Sequence, residues 1–357
     1  MIYSYNKIKH KITGFHWHIC YVFEQIFKLD LTSYDEDKLI HPDFRPIVGA
    51  SKVRLEKPLK EIVHAYHNLP DSAKIQLQDA FLANNDIACL SDNSKYLVPY
   101  EALHEDIVDI LKPFFTSLWE EYPIVIAMET DFGTVKSHYE SLAQNIFVCP
   151  FCGLESFETP EDDYREAYDH YYAKSKYPFI SVNFDLLFPT CHKCNSKEKK
   201  ALDILYFDDG TRRLAYNPYD DKLCSDELEV QIIKDEKYNN HTLITLLKSV
   251  PWNLELRRNA KIEEEIGTWD SIYGIKKRYS NRLKHYETEW FNELLDNYKD
   301  SLEDEVDFQK FKKRQLKKAK YRVLNSTNGI LLYSYFKFLF ESENIEKRLY
   351  QCARKTS

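Results

Sequence analysis

Glycine is scarce, with 8 residues in 357, and methionine scarcer still at 2. So little glycine favours a compact chain with short connections over long flexible linkers. No run of apolar residues approaches the length that a membrane span needs. The best stretch near the start, 18–27, is interrupted by Glu24 and Gln25 and lacks the ordered regions of a secretion signal. A soluble, cytoplasmic protein with no membrane partner is therefore expected. Internal repeats and low-complexity segments are also lacking. So is an excess of positive charge: the formal net charge is -8. That argues against a protein that coats nucleic acid with its whole surface, but not against a local basic track, because charge acts over a Debye length of about 8 Å in cellular salt.

What is present is ordinary globular composition, 43% hydrophobic and 30% charged, rich in tyrosine and phenylalanine. The length allows two or three domains. Residues 1–52 show no clear period. Leu59, Ile62, Val63 and Tyr66 keep the spacing of one helical face, closed by Pro70. A second helix is expected from Asp71, read as an N-cap, to about Leu82. A third should start near Pro99, with Pro113 as a kink or break. The apolar run 124–128 reads as a short strand, 135–143 as a helix, and 227–234 as a strand. From Ile262 onward the pattern is almost wholly helical. This gives a helical N-terminal region (1–144), a small central module (145–205) and a mainly helical C-terminal region (206–357).

The eight cysteines are unevenly spread. Cys20, Cys89, Cys224 and Cys352 stand alone, whereas Cys149, Cys152, Cys191 and Cys194 form two C-x-x-C pairs. Without an export signal a disulfide framework is not expected, and paired C-x-x-C motifs point to metal. Two such knuckles can give four thiolates to one tetrahedral Zn²⁺, leaving no open position, so the metal would be structural. The alternative is four buried free thiols. His192, between the second pair, is then surplus and should face solvent.

Between and beside the knuckles run DHYYAKSKYP and LLFPTCHKCNSKEK. Alone, Asp169–His170 could be a surface pair. With CPFCG before it and Asn195 directly after the last cysteine, the segment 147–200 resembles the HNH nuclease family. The resemblance covers about fifty residues at the centre of the chain. It implies an α+β protein: a mainly helical chain carrying a ββα-metal module, a hairpin and a helix around one divalent ion, stapled by a zinc ribbon-like four-cysteine site. It further implies that His170 is the general base, and that Asp169 and Asn195 hold a catalytic Mg²⁺ or Mn²⁺. The chemistry agrees in kind: phosphodiester hydrolysis needs an activated water and stabilisation of growing charge, and a neutral imidazole can take a proton near neutral pH. Adjacent strand residues point to opposite sides, so Asp169 and His170 can share a site only if the backbone bends or they approach it from different directions.

One position departs from the family pattern. The asparagine that steadies hairpin and base is Leu186 here. Asn183, three residues earlier, is the expected substitute, and Asp185, one residue earlier, is the alternative. The implied function is endonucleolytic cleavage of DNA, in the manner of bacterial phage-defence proteins, with an ATPase or another defence-system protein as partner. An RNA-cleaving toxin and a catalytically degenerate, zinc-stapled nucleic-acid-binding module are the alternatives.

Two sets of cations are candidates to meet phosphate, the alternative for each being a solvated face. One is Lys174, Lys176, Lys193, Lys197, Lys199 and Lys200 around the module. The other is a run whose exposed members should include Lys313, Arg314, Lys317 and Lys318, on a helix with Phe308, Phe311, Leu316, Ala319 and Val323 as its buried stripe.

Overall fold

The computed structural model describes residues 1–120, 130–158, 166–220, 228–233, 252–258 and 262–355. Among the described residues the chain is mainly helical, with two small antiparallel sheets, β1–β2 and β3–β4. Strand β1 is Tyr168–His170, β2 is Leu187–Pro189, β3 is Glu229–Ile233 and β4 is Asn253–Arg257. Among the described residues no helix is long and apolar enough to cross a membrane.

The first helix, Thr13–Leu29, lies where no period is legible. Its buried residues Phe15, His18, Ile19, Val22, Phe23 and Ile26 do follow helical spacing. The stripe is hidden because Trp17, exposed at 52%, and Tyr21 put aromatic rings on the opposite face as well. Asp30 ends the helix in the left-handed region (φ 44°), and its carboxylate receives Lys74 at 2.8 Å. Helix Lys57–Asn68 buries Leu59, Ile62, Val63 and Tyr66, the face its spacing predicts.

Helix Asp71–Asn84 starts where expected, but Asp71 is its first residue and not its cap. Pro70 holds the cap position and no side chain caps the helix. Pro99 opens a short 3₁₀ turn, Tyr100–Ala102, and the helix proper is Glu105–Glu120, running through Pro113. The expected strand at 124–128 lies outside the described residues. Helix Val135–Leu142 then leads to the first cysteine pair. Phenylalanines join these helices: Phe23 stacks on Phe81 at 4.9 Å, and Phe179, from the central segment, packs on Phe81 and Phe115 at 5.3 and 5.2 Å.

On the C-terminal side Val230 and Ile232 of β3 pair with Leu256 and Leu254 of β4, all buried. The long helices are Glu263–Tyr273 and Ile275–Glu303, separated by Gly274 at φ 58°. Phe308–Asn325 comes next, capped by Asp307, whose carboxylate accepts the N–H groups of Gln309 and Lys310. It buries Phe311, Gln315, Ala319 and Val323, close to the predicted stripe. The turn into Gly329–Glu341 is so tight that a β-carbon at Gly329 would fall 1.9 Å from the Arg322 carbonyl oxygen.

The central segment is clamped from both directions. Ile2 N–H donates to the Pro150 carbonyl at 2.7 Å, and the Tyr5 hydroxyl donates to that of Pro189. From the other side Trp269 Nε1 donates to the Phe151 carbonyl at 2.7 Å and the Tyr279 hydroxyl to that of Cys152 at 2.9 Å. One continuous hydrophobic core runs from Met1 to Ala353.

Candidate functional site

The two C-x-x-C pairs form two turns that meet. In the first, the Cys149 carbonyl accepts the N–H groups of Cys152 (3.2 Å) and Gly153 (2.7 Å), and Leu154 N–H points at Cys152 Sγ at 3.4 Å. Gly153 has φ 64° and faces Ile2, where a β-carbon would come within 3.3 Å. In the second, Asn195 N–H donates to the Cys191 carbonyl at 3.0 Å. All four sulfurs are buried and lie within 4.8 Å of one another. Cys152 and Cys191 Sγ are 3.9 Å apart, close to the edge of about 3.8 Å that a tetrahedron with bonds of about 2.3 Å would have. The cluster could hold a structural metal such as zinc. The buried Arg278 guanidinium lies 3.2 Å from Cys194 Sγ and offsets thiolate charge, which in turn strengthens its own hold on its proton. His192 is exposed.

From this base rises the β1–β2 pair, in the register Tyr168↔Pro189, Asp169↔Phe188, His170↔Leu187. After the last cysteine the chain enters a π-helical turn, Lys193–Lys199, closed by Lys200 N–H donating to the Asn195 carbonyl at 2.7 Å. Asn195 Nδ2 donates to the Tyr168 carbonyl at 3.1 Å, so the turn and the Asp-His strand touch directly.

The strand sends its two functional side chains to different surroundings. His170 makes an edge-on contact with the Trp119 ring at 4.7 Å and places Nε2 3.1 Å from the Ser181 carbonyl. A carbonyl only accepts, so Nε2 carries the proton and Nδ1 the lone pair. Burial first, then the charge of Lys174, pushes the imidazole pKa down to about 3. The ring is neutral throughout the physiological range.

Asp169 is 2% exposed, and its Oδ1 receives the Lys199 ammonium at 2.7 Å. Lys199, 1% exposed, also donates to the His170 carbonyl at 2.8 Å. Burial pushes the Asp169 carboxyl up, opposed by Lys199 and by the Tyr273 hydroxyl. Oδ2 meets no donor at hydrogen-bonding geometry, although Tyr273 is near enough to weigh on the carboxyl's proton affinity. With Lys199 in this place the residues do not fit a divalent ion. One carboxylate oxygen is taken by an ammonium, and a second positive centre beside it would be repelled.

Asn183 does not touch His170. Its Oδ1 accepts the Asp185 N–H at 3.2 Å, capping the turn Phe184–Leu186, and its Nδ2 reaches Asn85 Oδ1 at 3.2 Å. It therefore fixes the loop before β2 to the end of helix Asp71–Asn84. Leu186 is wholly buried, and its carbonyl accepts the Tyr171 N–H at 2.9 Å, extending the strand pairing by one bond. Ser181 and Trp119 do the positioning of His170; neither carries a local sequence signal, because their role depends on long-range packing.

No family model, curated protein or solved structure matches the chain.

Of the lysines around the module, three have acidic neighbours: Lys174 with Glu120 at 3.6 Å, Lys176 with Asp203 at 3.7 Å, and Lys199 with Asp169. Lys199 is buried and faces no solvent phosphate, unlike the expectation for the group. Lys193, Lys197 and Lys200 are exposed. On the Phe308–Asn325 helix, Lys313, Arg314, Lys317 and Lys318 are all exposed, with no ion pair among the described residues. The turn ending this helix meets the first knuckle, where Asn328 N–H donates to the Gly153 carbonyl at 2.9 Å. At about 1.5 Å per residue, Lys313 stands about 18 Å from Asn325 along the axis.

Proposed function

We propose that this chain is an HNH-type phosphodiester hydrolase directed at DNA, with a structural Zn²⁺ on Cys149, Cys152, Cys191 and Cys194. The observation that carries the reading is the contact between Asn195 and β1. It joins Asn195 to Tyr168, 27 residues away and next to Asp169, on a hairpin seated on the four-cysteine base. The neutral His170, with its proton fixed on Nε2 by Ser181, presents Nδ1 as the proton acceptor for a water. Its low pKa makes it a weak base in this setting. The unpaired cations of the Phe308–Asn325 helix supply a phosphate track that leads away from the first knuckle. A bacterial defence role with an ATPase partner is a further expectation of the resemblance, and so is the place of Asp169 and Asn195 beside a divalent ion.

The test is nicking of supercoiled plasmid with Mg²⁺ or Mn²⁺, run beside single-stranded DNA and RNA. Duplex cleavage lost on chelation supports the reading; cleavage confined to RNA replaces it with an RNase. A second reading is favoured by the Asp169–Lys199 pair and by Leu186: a zinc-stapled module that binds DNA without cutting it. Salt-sensitive binding with no cleavage under any metal would select that one.

A further inference from the structure

The Lys199 ammonium is held by two oxygens of one strand, Asp169 Oδ1 at 2.7 Å and the His170 carbonyl at 2.8 Å. Both side chains of the ion pair are almost entirely buried. A charged lysine this far from water is uncommon unless the fold is arranged around it. Here the backbone is so arranged. The turn Lys193–Lys199 is widened from i+4 to i+5 bonding, which admits one residue more and rotates the chain beyond it by about 100°. The next residue, Lys200, then sits at φ 52°, ψ -120°, a region that essentially only glycine adopts without strain. A strained non-glycine residue immediately after a π-turn marks Lys199 as deliberately placed. Asn195, at the head of the same turn, lies against the neighbouring carbonyl of Tyr168. The ammonium thus lies between two oxygens of β1, the Asp169 carboxylate and the His170 carbonyl.

We propose that Lys199 is an internal cation that occupies the oxygen pair beside Asp169 and so displaces a divalent ion from it. The identity of the displaced group rests on the HNH reading above; the occupied oxygen pair does not. The lysine is therefore a lock on the site.

The experiment is Mn²⁺ binding to the full-length, zinc-loaded protein, read by electron paramagnetic resonance and by the Mn²⁺-induced shift in melting temperature. Lys199→Met should bind one Mn²⁺ at least tenfold more tightly than wild type, and Asp169→Asn added to it should abolish the gain. Lys199→Gln, which keeps a polar group beside Asp169, serves if the methionine variant does not fold. Equal Mn²⁺ affinity in wild type and the Lys199 variants, or a gain that survives Asp169→Asn, would overturn the lock. A Lys199 variant that binds Mn²⁺ through Asp169 yet never nicks DNA leaves the lock standing and removes the nuclease reading.

Discussion

At His170 a single carbonyl decides the tautomer. Ser181 O accepts a hydrogen bond from Nε2–H at 3.1 Å, which leaves the lone pair on Nδ1. His170→Ala should lower the nicking rate by at least ~10²-fold, the lower end of general-base contributions, with zinc content unchanged. Wild-type rates in that folded variant would remove the assignment. The Asp169–Lys199 pair makes a different demand. Removing one partner strands a buried charge, at a cost of about 3–5 kcal/mol, whereas removing both is far milder. Lys199→Met should therefore melt well below wild type without divalent metal, and Asp169→Asn/Lys199→Met should recover most of the loss. Additive losses in chemical denaturation would mean that the pair is not coupled. Asn183 and Leu186 separate by kind. Leu186→Ala should cost about 2–5 kcal/mol because the leucine is wholly buried. Asn183→Ala should loosen the turn before β2, and with it the cleavage rate, if the loop positions the site.

At the scale of elements, the parts written in local spacing are the parts the sequence makes legible. The knuckles are legible because each is four residues long. The faces of Lys57–Asn68 and Phe308–Asn325 are legible because polar residues separate their apolar stripes. Thr13–Leu29 is not, because aromatics occupy both of its faces. The opposed directions of Asp169 and His170 come from strand alternation. The burial of Lys199 comes from no local rule: a lysine-rich stretch reads as surface, and only the widened turn brings its last residue inward. A second buried ionisable group lies between elements. Trp252 Nε1 donates to Glu287 Oε2 at 2.5 Å, and burial raises the Glu287 carboxyl to about 7, against about 4.3 when unfolded. Proton linkage sets the sign. The folded state holds this proton more tightly, so the stabilisation is complete below the unfolded pKa and is lost as pH rises through about 7. Glu287→Gln, which keeps an acceptor for the indole, should gain stability over wild type at pH 8 and little at pH 5. A gain independent of pH would contradict the protonated carboxyl.

For the whole molecule, the N-terminal segment and the C-terminal helices hold the four-cysteine base in a vice, through Ile2, Tyr5, Trp269 and Tyr279. Loss of the metal should therefore be felt well beyond the knuckles. Cys194→Ser should lower zinc content and melting temperature together, because binding energy at a structural zinc is largely folding energy. Metal analysis showing no zinc in wild-type protein purified without chelator would leave only four buried thiols. With a net charge of -8, the proposed DNA binding would have to come from local tracks. Reversing Lys313, Arg314, Lys317 and Lys318 to glutamate should flatten the salt dependence of binding, by up to about 0.9 in slope for each phosphate no longer neutralised. An unchanged slope would make that face merely solvated.

If the Asp169–His170–Asn195 strand-and-turn cleaves phosphodiesters as proposed, and Lys199 closes it, removing Lys199 should raise a cleavage that depends on His170. Plasmid nicking in Mn²⁺ by Lys199→Met, with and without His170→Ala, tests it most directly. Lys199→Met should nick at least tenfold faster than wild type, and adding His170→Ala should abolish the gain. Nicking that is equally fast with and without His170, or no nicking by a Lys199→Met protein shown to hold Mn²⁺, would contradict it.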